Sequence, residues 1–304
     1  MLSKSQIPGE AQEKTCLVCG RQTPYQTVYE KWGYPIHKCA GCGLGSTGIA
    51  SSFRPEQLYD ESYFQGGQKD GYADYVGSEA VLRAEFRRAL DHLRSHGCDE
   101  GKLLEIGCAF GYFLTEARKY FQCTGIEISE VAVLACRARG LEVFSPNDPD
   151  IESVWSRSDS YAATVMLDCI EHLADPTSIL RNVRRVLAPD GLLMISTGDW
   201  DSLLARAMGK RWRLMTPPQH LFFFSPETLG ALLERYGFQV VDCVKPWKMV
   251  PLGLAAYQAG NRLGIRLPSL ERLNTMGVPV NLFDTFRMIA RKVGSGAGSH
   301  LPPD

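Results

Sequence analysis

Two pairs of cysteines and one glycine turn carry the chemistry this sequence offers first. Cys16-Leu17-Val18-Cys19-Gly20 and Cys39-Ala40-Gly41-Cys42-Gly43 are separated by nineteen residues. A thiolate pair at this spacing can chelate one ion, the following glycine relieves the turn, and two such pairs complete a tetrahedral site. Cys16, Cys19, Cys39 and Cys42 are therefore expected to hold a structural Zn2+. The competing reading is a redox dithiol, which uses one Cys-x-x-Cys at a helix N-terminus rather than two glycine-terminated knuckles. His37 is close enough to substitute as a ligand, although four thiolates already fill the site. Such a zinc has no open position and organises the chain without acting on a substrate.

The glycine turn lies in Leu103-Leu104-Glu105-Ile106-Gly107-Cys108-Ala109-Phe110-Gly111-Tyr112. An apolar run ending in an acid, two glycines four residues apart and then a helical pattern read as a strand, a tight turn and a helix N-terminus. That geometry lets backbone approach a nucleotide-like cofactor. Twenty residues after Gly107, the apolar stretch Cys123–Ile128 places Glu127 at a strand's carboxyl end, where a carboxylate can accept from both ribose hydroxyls. A dinucleotide site favours Gly-x-Gly-x-x-Gly, which Gly107 to Gly111 does not fit, so a nucleoside cofactor of another kind is expected.

The elements that must position these groups follow from periodicity. Thr27–Trp32 and Tyr34–Lys38 read as short strands between the cysteine pairs, making a zinc ribbon. Tyr59–Phe64 and Tyr72–Tyr75 form an aromatic, acidic connector, and 79–96 has helical spacing, together suggesting a lid or cap. From Lys102, strands at 103–107, 123–128, 141–144, 162–168, 191–197, 238–244 and 284–291 alternate with helices at 111–120, 129–139, 176–187 and 226–236. This pattern predicts a mostly parallel sheet with helices on both faces and ligands at the carboxyl ends of its strands. The expected division is a ribbon over 1–50, a connector and cap helix over 51–100, the main domain over 101–293 and a Gly-, Ser- and Pro-rich disordered tail over 294–304.

The totals agree with that plan. The 304 residues are 44% hydrophobic, enough for one large core and an appendage. A net charge of −1 and the lack of a basic run argue against a nucleic-acid partner. Met1 to Glu13 is polar and no apolar stretch reaches ~18 residues, so neither a secretion signal nor a membrane span is expected, and the location is expected to be cytoplasmic. Cys98, Cys108, Cys123, Cys136, Cys169 and Cys243 sit among apolar neighbours and read as small core residues.

From Lys102 to Lys292 the sequence resembles the class I S-adenosylmethionine-dependent methyltransferases. The resemblance rests on Glu105 to Gly111, on Glu127 ending the second strand, on Asp168-Cys169-Ile170-Glu171-His172-Leu173-Ala174-Asp175-Pro176, and on Leu187-Ala188-Pro189-Asp190-Gly191. The cysteine knuckles and the connector resemble the zinc module on bacterial sugar and natural-product methyltransferases, including deoxysugar C-methyltransferases. Those sugar enzymes continue into a further large domain, whereas this sequence ends soon after its last core strand. The resemblance implies a doubly wound, seven-stranded Rossmann-like α/β sheet with a small N-terminal zinc ribbon, and S-adenosyl-L-methionine as cofactor. It implies cofactor contacts from Glu105, Gly107, Cys108, Ala109, Gly111, Tyr112, Glu127, Ile128 and Asp168. Glu105 organises the loop, Glu127 takes the ribose hydroxyls, Ile128 packs on adenine, and Asn147 or Asp148 binds the adenine edge.

Methyl transfer is an in-line displacement at an activated carbon, so the protein must position, exclude water and remove a proton from a hydroxyl or carbon acid. Glu171, His172 and His220 are the candidate catalytic groups, the last held in Thr216-Pro217-Pro218-Gln219-His220 beside Phe222, Phe223 and Phe224. Against this, His172 caps a helix or packs beneath its loop, and His220 is a buried histidine bonded to a neighbouring loop. Trp200, Trp212, Arg211 and Arg213 read either as an acceptor cover with anion-binding arginines or as solvated surface. The expected function is methylation, at oxygen or carbon, of a small-molecule acceptor such as a sugar, a nucleotide-linked sugar or a secondary metabolite. The alternatives are an rRNA or tRNA methyltransferase whose ribbon binds RNA, and a cofactor-binding protein without turnover. The apolar segment from Pro251 to Leu267 reads as an extra helix near the pocket or a homodimer contact.

Overall fold

A computed structural model describes residues 12–50, 53, 58, 75–251 and 277–294. The connector aromatics Tyr59, Tyr63, Phe64 and Tyr72, the segment after Pro251 as far as Leu267 and the tail beyond Gly294 lie outside the described residues. Strands β1 (Gln12–Thr15), β2 (Gln22–Lys31), β3 (Tyr34–Cys39) and β4 (Gly45–Thr47) precede helix α1 (Glu79–Arg94). The alternating part then runs β5 (Gly101–Ile106), α2 (Tyr112–Ala117), β6 (Phe121–Ile126), α3 (Glu130–Ala138), β7 (Glu142–Phe144), α4 (Ile151–Trp155), β8 (Tyr161–Leu167), α5 (Pro176–Val186) and β9 (Leu187–Gly198). It continues with α6 (Leu203–Met208), β10 (Phe222–Phe223), α7 (Pro226–Arg235), β11 (Phe238–Val244), β12 (Lys248–Pro251), β13 (Gly277–Val280) and β14 (Thr285–Lys292).

The large sheet has seven strands in the order β11-β14-β9-β8-β5-β6-β7. The pairs from β7 through to β9 are parallel, whereas β14 is antiparallel to both β9 and β11. Strands β5, β8 and β9 are near-continuous apolar runs because both of their faces are covered, as a parallel sheet between helices requires. Local signals set the helix ends. Asp175 accepts from the backbone N–H of Thr177 and Ser178 ahead of Pro176, and Ser225 and Thr228 form a capping box ahead of α7. The buried carboxylate of Glu116 on α2 binds Arg83, Arg87 and Lys119, so α1 is fastened to the main body by charge as well as by Leu90 and Leu93.

Two expectations change in detail. The residues between the helix expected over 176–187 and the strand expected from 191 belong to the strand itself: the chain passes directly from α5 into β9 through a register irregularity between Tyr161 and Ala163, with Asp190 at φ 60°. Cys243 is exposed rather than buried, because β11 is an edge strand whose alternate residues face solvent.

The cysteine-bearing strands form a second, five-stranded sheet in the order β1-β2-β3-β4-β10. Its last strand comes from the segment between β9 and α7, where Phe222 pairs with Ser46 and Phe223 with Gly45. Ile36 packs with Trp200, Trp212, Met215 and Phe223 in one apolar cluster. The N-terminal sheet is thus joined to the main body by hydrogen bonds and a shared core.

Candidate functional site

The topology reverses at β5, which has β6 on one side and β8 on the other, and the sequence-selected groups collect at the carboxyl ends of these strands. Gly107 and Gly111 take φ of 76° and 71°, and Ala109 between them takes 44°. A Cβ on Gly107 would lie 2.6 Å from Cys169 Sγ, and one on Gly111 would lie 2.4 Å from Leu141 Cδ1. Both positions therefore need glycine for conformation and for space.

The loop is held by Glu127. Its Oε2 accepts from Ala109 N–H at 2.7 Å and its Oε1 from Ser129 N–H at 2.8 Å. Burial raises the Glu127 pKa while these backbone donors oppose the rise. Glu105, at the end of β5, is buried, and burial keeps its carboxyl well above the usual range. Its Oε2 has no hydrogen-bond partner among the described residues. Cys108 and Cys136 are both buried, Cys136 Sγ lies 3.2 Å from the Ala109 carbonyl, and the Cys108 backbone N–H donates to the Ile126 carbonyl. Tyr112 is buried and stacks on Tyr75 at 5.3 Å, which places one aromatic of the expected cap beside the glycine loop. Ile128 is partly exposed beside Glu127. Of the two adenine-edge candidates, Asp148 binds Arg137 at 2.5 Å and Ser145 N–H, whereas Asn147 is exposed.

Asp168 follows β8 at φ 51°. It accepts from Ser196 Oγ at 2.9 Å and pairs with Lys248 Nζ at 2.5 Å. Burial would raise its pKa, but the Lys248 ammonium and the Ser196 hydroxyl hold it at about 2. Lys248 also contacts Glu85 of α1 at 3.4 Å, and the buried Arg287 of β14 adds a second cation. Sequence reasoning did not select Lys248, Glu85 or Arg287, since isolated charges on separate elements show no spacing that would join them.

Beyond Asp168, a short 3₁₀ turn over Ile170–His172 brings Glu171 and His172 against His220. The imidazoles of His172 and His220 cross at 88° with centroids 4.5 Å apart. One ligand-capable atom from each of Glu171, His172 and His220 lies within 4.8 Å of the others, an arrangement able to share a proton or a cation. His172 Nδ1 lies 3.0 Å from the Gln219 carbonyl, and His220 is bonded to the Leu214 carbonyl. A carbonyl only accepts, so each ring donates to its carbonyl through one nitrogen. Burial lowers His172 to about 4 and pushes His220 well below the ordinary value, keeping both neutral near pH 7. Burial and the Asp168 charge push Glu171 up to about 8. The arginines of the expected cover divide: Arg213 forms a two-point pair with Asp284, which also accepts from Trp212 Nε1, while Arg211 is exposed.

The four cysteines converge as their spacing predicts. All four Sγ atoms lie within 4.8 Å of one another, and Cys16 and Cys42 are 3.6 Å apart. A tetrahedron with zinc–sulfur bonds of ~2.3 Å has edges of ~3.8 Å, so the donor set fits zinc. A proton shared between Cys42 and Cys16 lowers Cys16 to about 4 and pushes Cys42 up. Thr23 Oγ1 approaches Cys39 Sγ at 3.1 Å, and Gly20 and Gly43 N–H groups donate back to Cys16 and Cys39 to close the knuckles. Among the described residues no helix is long and apolar enough to cross a membrane.

A family model described as a methyltransferase domain matches residues 77–242, a little over half of the chain. A protein of Xanthomonas oryzae pv. oryzae named ubiquinone biosynthesis O-methyltransferase is 29% identical over 163 residues, spanning 48% of this chain and 68% of that relative. The protein of the same name from Aeromonas salmonicida is 28% identical over 161 residues, spanning 49% and 67%. Among solved structures, an S-adenosylmethionine-dependent methyltransferase from Archaeoglobus fulgidus is 21% identical with a TM-score of 0.48, covering 70% of this chain and 94% of that one. With its domain model, its seven-stranded sheet and its antiparallel last strand, the chain belongs to the S-adenosylmethionine-dependent methyltransferases.

Proposed function

We propose that this methyltransferase acts on a small-molecule acceptor, at an oxygen or an acidic carbon, bound against His172 and His220 after the ends of β8 and β9. The observation that carries this reading is the pair of crossed imidazoles, 4.5 Å apart and each anchored through one nitrogen to a backbone carbonyl. Bound S-adenosylmethionine supplies the sulfonium-activated methyl carbon. Glu127 would hold the ribose, since each of its oxygens accepts one backbone donor and a carboxylate has about four acceptor positions. The glycine loop from Glu105 to Tyr112 would run beside the methionine portion, and Ile128 would lie against adenine. The Asp168–Lys248 pair offers a carboxylate and an ammonium side by side, suited to a zwitterionic amino-acid end. One imidazole would take the acceptor proton while the Asp168 charge favours the imidazolium formed. The four cysteines would hold one structural Zn2+.

The small-molecule class is supported by the names of the curated relatives, ubiquinone biosynthesis O-methyltransferases, and by a net charge of −1. Sugars, nucleotide-linked sugars and other hydroxylated secondary metabolites are the acceptors to try. Labelled S-adenosylmethionine and a panel of these compounds test the reading. A labelled small product is expected, and His172→Ala or His220→Ala should lower kcat by about 100-fold without changing cofactor affinity. Labelled RNA with tight, salt-sensitive binding and no small product would overturn it.

A further inference from the structure

At the end of α1, apart from the groups just described, His92 and His96 stand one helical turn apart and direct Nε2 toward the same carboxylate oxygen. Asp242 Oδ2 lies 2.7 Å from His92 Nε2 and 3.6 Å from His96 Nε2. Asp242 follows a register irregularity in β11, between Val240 and Asp242, of the kind that re-aims a side chain. The two rings cross at 75° with centroids 5.2 Å apart.

The hydrogen bonds around His96 fix its tautomer. Its Nδ1 lies 3.0 Å from the His92 carbonyl, which only accepts. Nδ1 also lies 3.3 Å from Ser95 Oγ, whose own proton is committed to the His92 carbonyl at 2.8 Å. Both neighbours therefore require a proton on Nδ1, which leaves neutral His96 with a bare lone pair on Nε2. That lone pair faces a carboxylate oxygen at 3.6 Å, too long for a hydrogen bond and repulsive unless a cation or proton lies between. A ligating histidine is commonly oriented in this way, through a second-nitrogen bond to a carbonyl.

We propose that His92, His96 and Asp242 form a second metal site, for a divalent first-row transition ion such as Zn2+, Ni2+ or Cu2+, that staples the end of α1 to edge strand β11. One donor atom from each residue lies within 4.8 Å of the others. Two imidazoles and one carboxylate suit these ions better than Mg2+ or Ca2+, which prefer all-oxygen sites. The side chains are 16%, 24% and 31% exposed, so an ion can reach them and water can complete its coordination. With a single carboxylate and the Arg287 cation acting on His92, binding should be far weaker than at the four thiolates. The staple would fix the helix that carries Glu85, the partner of Lys248. It does not depend on which acceptor the protein methylates.

Calorimetric titration of the zinc-loaded full-length protein with Ni2+ tests the proposal. The wild type should take up one equivalent beyond the thiolate zinc, with a Kd in the micromolar range. His96→Ala and Asp242→Asn should each weaken that equivalent by about tenfold or more. The zinc released by an organomercurial, which reports the thiolate site, should be the same in all three proteins. A Cu2+ electron paramagnetic resonance spectrum should carry hyperfine structure from two imidazole nitrogens in the wild type and one in His96→Ala. No additional equivalent in the wild type, an undiminished one in both variants, or identical Cu2+ spectra would overturn the proposal. If the thiolates hold no zinc, the variants still bind this equivalent more weakly than the wild type.

Discussion

Thr47, at the end of the cysteine-bearing sheet, donates its hydroxyl to the backbone carbonyl of His220 at 2.6 Å. Its N–H donates to the adjacent Leu221 carbonyl at 2.9 Å, and Leu221 N–H donates to Glu171 at 2.8 Å. One chain of hydrogen bonds therefore runs from the N-terminal sheet through the histidine loop to the turn after β8. The four-cysteine region is a structural wall of the candidate acceptor site.

Metal removal should consequently affect the acceptor more than the cofactor. Stripping the proposed thiolate zinc is expected to raise the acceptor KM by about tenfold or more, while S-adenosylmethionine affinity moves by less than about twofold. Gly45→Val should act in the same direction with the metal retained, because a Cβ there would lie 2.8 Å from Phe223 Cβ and 2.9 Å from Trp200. Parallel steady-state kinetics and cofactor calorimetry check both, and an unchanged acceptor KM in metal-free protein would show that the wall stands without its metal.

Glu127 is expected to serve the loop and the cofactor together. Glu127→Ala removes the acceptor for Ala109 and Ser129 N–H as well as the proposed ribose ligand, and should weaken S-adenosylhomocysteine binding by about 100-fold or more. Glu127→Gln keeps one carbonyl acceptor and should lose about tenfold. Equal affinity of both variants and the wild type in a calorimeter would remove Glu127 from the cofactor site.

The sequence revealed those parts of the molecule whose meaning is local. The cysteine knuckles, the glycine turn and the strand-ending Glu127 each sit within a short window; the fold gathers the four thiols with one another and, elsewhere, sets Glu127 on the glycine loop. The alternating elements were readable because buried parallel strands are apolar on both faces. What local patterns could not reveal is pairing across distance. Nothing near Phe222 announces that it completes the cysteine sheet, and nothing near Lys248 announces its contact with Asp168, because each partnership is made by chain topology. The aromatic run around His220 suggested a pocket wall, but the anchoring carbonyls of Leu214 and Gln219 and the pairing of Arg213 with Asp284 are tertiary facts.

Gly107 separates two costs that a substitution would incur. Gly107→Ala places a Cβ 2.6 Å from Cys169 Sγ and also forces alanine to φ 76°. Destabilisation of about 2–4 kcal/mol is expected, combining overpacking with left-handed strain. Adding Cys169→Ala should relieve the contact and leave about 1–2 kcal/mol from the backbone. Urea unfolding of the two single variants and the double variant measures the coupling, and strict additivity would show that the sulfur is not the obstacle.

Glu171 and His172 should bend the pH dependence of stability in opposite directions. Glu171 titrates at about 8 in the fold, against about 4.3 when unfolded, because burial and the Asp168 charge oppose its ionisation. The folded state binds the extra proton between those values, so this contribution is complete below about pH 4.3 and is lost as pH rises to 8. His172 titrates at about 4 in the fold against about 6.5 unfolded, so its contribution is complete above about pH 6.5 and is lost as pH falls toward 4. The two trends offset each other between about pH 4.3 and 6.5, leaving the Glu171 loss visible from there to pH 8. Glu171→Gln copies the protonated carboxyl and has nothing to lose in that window. The variant should match the wild type near pH 5 and exceed it near pH 8 by on the order of a few kcal/mol in urea unfolding. If the wild type and Glu171→Gln keep the same stability difference from pH 5 to pH 8, Glu171 is ionised at neutral pH, and the proton economy proposed for the site must be redrawn around a charged carboxylate.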